Sequence, residues 1–131
     1  TVCAYGWDLL AGGIPYEPLA AELRAMGQVV PLPPSPGAAA LSSLESLWAG
    51  AGLVDIQTRV IEVQRVYESF DEYWSIVLGG PAVSAILKGM TPTDLAGFQE
   101  RLKRRLVINA QGQVIGSGRA NAVAGRVPNK S

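Results

Sequence analysis

Val114-Ile115-Gly116-Ser117-Gly118-Arg119-Ala120-Asn121-Ala122-Val123-Ala124-Gly125-Arg126-Val127 is the stretch that decides how the chain folds. Its ends favour a strand, yet Gly or Ala occupies positions 116, 118, 120, 122, 124 and 125. Glycine weakens a strand unless another backbone or a side chain must come close. Small residues on both faces suit a strand covered by helices on both sides, so this one is expected inside a sheet, not at its rim. Gln111-Gly112-Gln113 is the turn into it, and Pro128 ends it.

Thr1 to Trp7 is apolar and β-favouring, bounded by Asp8. Gly12, Gly13 and Pro15 enforce a loop, then Leu19, Leu23 and Met26 recur at helical spacing up to Gly27. Val29 to Gly37 carries four prolines and reads as an extended connection. Ser42 with Glu45 predicts a capping box for a helix whose buried stripe is Leu44, Leu47 and Trp48. Leu53 to Val66 alternates as a strand, and a phase change at Val60-Ile61 predicts a bulge or twist. Ser69 with Glu72 opens a helix bearing Phe70, Tyr73, Trp74 and Val77, which Gly79-Gly80-Pro81 breaks. A short helix follows around Ala82 to Lys88. Thr91-Pro92 then starts another, lined by Leu95, Phe98, Leu102 and Leu106. There is no internal repeat.

The order is therefore strand, helix, helix, strand, three helices, strand. It predicts an α/β sheet of three strands, two of them parallel and joined by a right-handed helical crossover. The last strand is then antiparallel and inserted between them, with flanking helices and a helical insertion about 67–108. The whole of 1–131 reads as a single partial domain, thin for an independent fold because the first strand keeps an open edge.

Composition narrows the function. The chain has 131 residues, 11 basic and 11 acidic, and a formal net charge of zero, which gives no electrostatic argument for nucleic acid or an anionic membrane. Lys103-Arg104-Arg105 reads as a solvated helix face. Histidine is absent, removing the commonest general base and metal ligand. Cys3 is the only cysteine, so no internal disulfide can form. A reducing, cytoplasmic setting fits. No run reaches the roughly 18 apolar residues of a membrane span. Thr1-Val2-Cys3-Ala4-Tyr5 lacks the basic flank of a signal peptide and reads as a cut made at the start of a strand. Gly116-x-Gly118 has no third glycine opening a helix, so it is no dinucleotide fingerprint. Zinc spacing is absent, and Cys3 has no histidine to activate it.

Several phrases, taken in order, resemble class I S-adenosylmethionine-dependent methyltransferases of the ubiquinone/menaquinone-biosynthesis type. Thr1 to Asp8 is similar to that family's fifth strand, with a Trp7-Asp8 ending. Leu41 to Val54, with Ala51-Gly52-Leu53, resembles the helix and turn before its sixth strand. Tyr67-Glu68-Ser69-Phe70-Asp71-Glu72-Tyr73-Trp74 resembles the entry to its inserted helices. Arg119-Ala120 with Gly125-Arg126-Val127-Pro128 resembles its last strand. The resemblance implies the C-terminal part of a Rossmann-like methyltransferase sheet. It also implies an N-terminal half as partner, because the Gly-rich turn and the acidic residue that hold the methyl donor have no counterpart here. S-adenosylmethionine is thus the cofactor of the complete enzyme only, and the isolated chain is expected to be inactive.

What this half would supply is the wall for a small-molecule acceptor, beyond the carboxyl ends of the strands. The substrate-binding candidates are Tyr5, Trp7, Asp8, Tyr16, Phe70, Tyr73 and Trp74. Asp8 either orients or deprotonates an acceptor hydroxyl or starts a loop as a cap. Tyr5 and Trp7 either stack on a planar acceptor or are core aromatics. Tyr16 is a candidate lid residue. Phe70, Tyr73 and Trp74 either line a pocket or pack a helix. Arg119 is expected to pair with a carboxylate such as Asp55 or Glu62. No catalytic residue, donor-binding residue or metal ligand is assigned. Two other readings stand beside this one: a stand-alone α+β small-ligand-binding module, and a homodimerising piece in which Val2, Tyr5 and an open edge meet another chain.

Overall fold

The computed structural model describes residues 1–130, Ala82 by its backbone alone. The strands are β1 (Val2–Trp7), β2 (Val54–Tyr67), β3 (Val107–Ile108) and β4 (Val114–Arg126). The helices are α1 (Glu17–Ala25), α2 (Leu41–Gly50), α3 (Phe70–Val77), α4 (Pro81–Lys88) and α5 (Pro92–Arg105).

Local chemistry sets most helix ends. The Thr91 hydroxyl accepts the Asp94 N–H at 3.1 Å with Pro92 in the first turn of α5. The Ser69 hydroxyl does the same for Glu72 N–H at 3.1 Å, and the Glu72 carboxylate takes the N–H of Glu68 in return. Gly27 at φ 81° and Gly52 at φ 83° follow α1 and α2, supplying the left-handed step a β-carbon resists. The predicted Ser42–Glu45 box does not form. α2 starts at Leu41, with Ala40 at its N-cap and no side-chain cap. The 3₁₀ turn Pro36–Ala39 fixes that entry, because Ala40 N–H bonds Gly37 C=O at 3.2 Å and Ala40 C=O accepts Leu44 N–H at 2.9 Å.

The sheet corrects the predicted architecture. It has four strands in the order β1-β4-β2, with β3 also on β4, and every pairing is antiparallel. The three-strand, Rossmann-like sheet with two parallel strands is therefore not what forms. The physical reason is that β4 takes up the ladders: Val2↔Gly125 through Trp7↔Ala120 on one side, and β2 on the other. No two strands are left to pair in parallel. The fourth strand arises from a hairpin. Asn109 Oδ1 accepts the N–H groups of Gln111 and Gln113, at 3.1 and 2.9 Å, and Gly112 turns at φ 77°. That folds Val107 and Ile108 back onto Ile115 and Val114. In the sequence these two residues read as the tail of the helical insertion.

Within β2 the left-handed residue is Asp55 at φ 52°, held by Arg126 at 2.8 Å. Only Tyr67 of this strand is buried. No alternation is imposed on its open middle, which accounts for the phase change at Val60-Ile61.

The residues divide into two compact units. The first holds Thr1–Pro15, Leu32–Val63 and the chain from Ser117 on; the second holds Tyr16–Pro31 and Gln64–Gly116. The second contains the main apolar core, with Leu19 and Leu23 of α1, Tyr73 of α3, Phe98 and Leu102 of α5 and Val114 of β4. At its border Glu22 of α1 is buried, and Arg101 and Arg105 of α5 donate to its carboxylate at 2.8 and 2.6 Å. The basic cluster is thus more than a solvated face. Arg105 ties α5 to α1, and Lys103 pairs with Glu100 and lies 4.8 Å from the Phe70 ring centroid.

The Arg105 hydrogen bond, and then that of Arg101, hold the Glu22 carboxyl below its ordinary pKa against the opposing effect of burial. A depressed carboxyl pKa stabilises the fold above the unfolded value and loses that contribution as pH falls through the folded one. Glu22→Gln should cost about 2 kcal/mol at neutral pH. In urea denaturation the gap to the wild type should narrow as pH falls below the ordinary carboxylate range.

Candidate functional site

Successive side chains of a strand alternate between faces, so Cys3, Tyr5 and Trp7 share one face of β1. Opposite them on β4 stand Ala124, Ala122 and Ala120. The small β4 residues make a low floor, β1 forms one wall, and Gln57, Thr58, Arg59 and Ile61 of β2 form the other. The result is an open trough of about 400 Å³ within the first unit, mostly apolar, with Arg59 its one charged lining residue. Tyr5 stands on its rim, 81% exposed. Such a hollow offers apolar contact, a phenol and a guanidinium to a flat molecule.

Past Tyr5, Trp7 lies over Gly118, where a β-carbon would come within 2.9 Å of the indole ring and 3.3 Å of Pro15. The chain then bends through a knot of short bonds. Asp8 N–H donates to Arg119 C=O at 3.0 Å, and Asp8 C=O accepts Gly13 N–H at 2.9 Å. Arg119 N–H closes the ring on Gly13 C=O at 2.8 Å. The Asp8 side chain is buried and accepts from Arg119 Nη2 at 2.8 Å, while giving no cap bond to the turn it precedes. Arg119 therefore pairs with Asp8, not with Asp55 or Glu62. The register explains it: Trp7 opposes Ala120, which brings the next residue on β1 beside Arg119. Asp55 pairs with Arg126 instead.

The other four candidates belong to the second unit and are brought together there as packing. Tyr16, Phe70 and Trp74 are partly buried against the apolar core. Phe70 and Trp74 stack with centroids 6.0 Å apart, and Trp74 meets Phe98 at 6.1 Å. Tyr73 is 1% exposed, edge-on to Tyr67 at 5.1 Å. Its hydroxyl has no hydrogen-bond partner among the described residues. Burial, and secondarily the neighbouring Tyr67, push its pKa up to about 12.

Tyr5 and Trp7 stand out in the sequence by their place near the end of an expected strand, whereas nothing there marks Cys3 as sharing their face. The β2 wall is equally unmarked, since it reaches the site only through pairing with β4. Among the described residues no three His, Cys, Asp or Glu side chains gather to hold a metal ion. No protein-family model matches the chain, and no curated protein matches it.

Two outcomes test this geometry. A β-carbon at Gly13 would sit 2.5 Å from Arg119 C=O and 3.0 Å from Asp8, contacts that backbone cannot relieve cheaply. Gly13→Ala should therefore lose about 2–3 kcal/mol in thermal or urea unfolding. Tyr73→Phe removes a buried hydroxyl without a partner, so at neutral pH it should be as stable as the wild type or up to about 1 kcal/mol more stable. A raised tyrosine pKa stabilises below the unfolded value, near 10, and that contribution is lost as pH rises through about 12. The variant should escape that alkaline loss in pH-dependent denaturation.

Proposed function

We propose that this chain is the acceptor-side portion of an S-adenosylmethionine-dependent small-molecule methyltransferase. The observation that carries the reading is the ordered set of phrases at Trp7-Asp8, Ala51-Gly52-Leu53 and Tyr67 to Trp74, with Tyr5 and Trp7 on one face of β1. In this reading Tyr5 and Trp7 provide a flat surface for a planar acceptor, and the Asp8–Arg119 pair keeps the end of β1 rigid. Positioning is the wall's share of the work, since methyl transfer gains chiefly from proximity and orientation.

In this reading the methyl donor is held by residues outside this sequence, while Gly13, of the glycine pair that follows β1, binds the chain's own backbone, its N–H donating to Asp8 C=O and its C=O accepting from Arg119 N–H.

The trough favours a second reading, a small-ligand-binding module that works without catalysis, because its floor and both walls lie within one unit. Calorimetric titration separates the two. S-adenosylhomocysteine should leave this chain unbound and bind the protein extended by the residues that precede Thr1 in its gene. Failure of the extended protein to bind overturns the methyltransferase reading. Tight binding of a flat apolar compound by the chain alone, lost in Tyr5→Ala, favours the module.

A further inference from the structure

One rim of the sheet is built for company. β2 is an edge strand of 14 residues, about 45 Å long at the usual strand rise. Tyr67 is its sole buried residue, and Val60, Ile61, Val63 and Val66 are 37–51% exposed. Stable monomers blunt such edges with proline, charged side chains, bulges or brevity. From Ile56 to Tyr67 there is no proline, glycine or lysine, and the charges are Arg59, Glu62 and Arg65. The other rim, β1, is only six residues long and contains Gly6.

We propose that β2 pairs antiparallel with β2 of a second copy of this chain, the two-fold axis passing through Val60. The axis stands perpendicular to the sheet and keeps each residue on its own face, so opposed positions share parity and the centre falls on a residue. Centring on Arg59 or Glu62 sets like charges directly opposite one another, which destabilises a pair of strands. Centring on Ile61 puts Arg59 against Val63 and Glu62 against Val60 and forms no opposite-charge pair. Centring on Val60 joins Val60 to its own copy and gives the Glu62 carboxylate the partner's Thr58 hydroxyl. Asp55, which Arg126 already engages within the chain, then faces the partner's Arg65, twice over by symmetry. The ladder from Ile56 to Gln64 and its flanks supplies about ten hydrogen bonds, the number a specific interface carries. This surface lies apart from Tyr5 and Trp7 on β1, but its strand is also the other wall of the trough, through Gln57, Thr58, Arg59 and Ile61.

The test uses the full chain with Cys3→Ser to remove its own exposed thiol. Sedimentation should show a concentration-dependent dimer. Val60→Cys should form an inter-chain disulfide under mild oxidation, whereas Val63→Cys, whose two copies lie far apart in this register, should not. Val60→Lys opposes two like charges and should raise the dimer dissociation constant by about tenfold or more, with an unchanged circular dichroism spectrum. A monomer at every soluble concentration overturns the proposal. So does a dimer that survives Val60→Lys, or Val63→Cys cross-linking as readily as Val60→Cys.

Discussion

Aromatic rings resting on glycines of one strand hold this protein's architecture in place. A β-carbon at Gly116, Gly118 or Gly125 would approach Tyr67, Trp7 or Trp48 to 2.9 Å, inside van der Waals contact. The rings close over the strand because nothing projects from it. β4 can accept partners along its edges only while its faces stay this thin. The ladder to β1 and the trough above Ala122 and Ala124 lie along that thin stretch.

What could be read from the residues was what local chemistry determines. Thr91-Pro92 and Ser69 announce their helices within a single turn, and the small residues of β4 announce an interior strand. Strand direction is not local. Periodicity says that Thr1 to Trp7 and Leu53 to Val66 are extended, but not which neighbour each one bonds, and the parallel pairing inferred from a helical crossover was wrong. β3 stayed hidden because two apolar residues after a helix look like more helix until Asn109 turns the chain. Arg119 was given the wrong carboxylate for the same reason, since its choice depends on the register of β1 against β4.

Buried polar groups divide the molecule by purpose. Glu22 is fully engaged by two guanidinium groups, an arrangement that stabilises the contact of α1 with α5. Asp8 is likewise engaged, by Arg119, at the end of the strand that carries Tyr5 and Trp7. Tyr73 and Asn121 differ: among the described residues the Tyr73 hydroxyl and the Asn121 Oδ1 are buried without a partner, although Asn121 Nδ2 donates to Ala39 C=O at 2.9 Å. For Tyr73 the large apolar ring outweighs the stranded oxygen, as its packing against Tyr67 indicates.

The closed ring of Asp8, Gly13 and Arg119 has an engineering consequence. The arch from Leu9 to Gly12 is pinned at both feet by backbone bonds that do not involve its own side chains, and Leu10 at its crown faces solvent. An arch of that kind can be lengthened or exchanged with little entropic penalty, because closure cost grows only slowly with loop length once the feet are fixed. It is the segment on which new recognition could be grafted while the strands beneath keep their register.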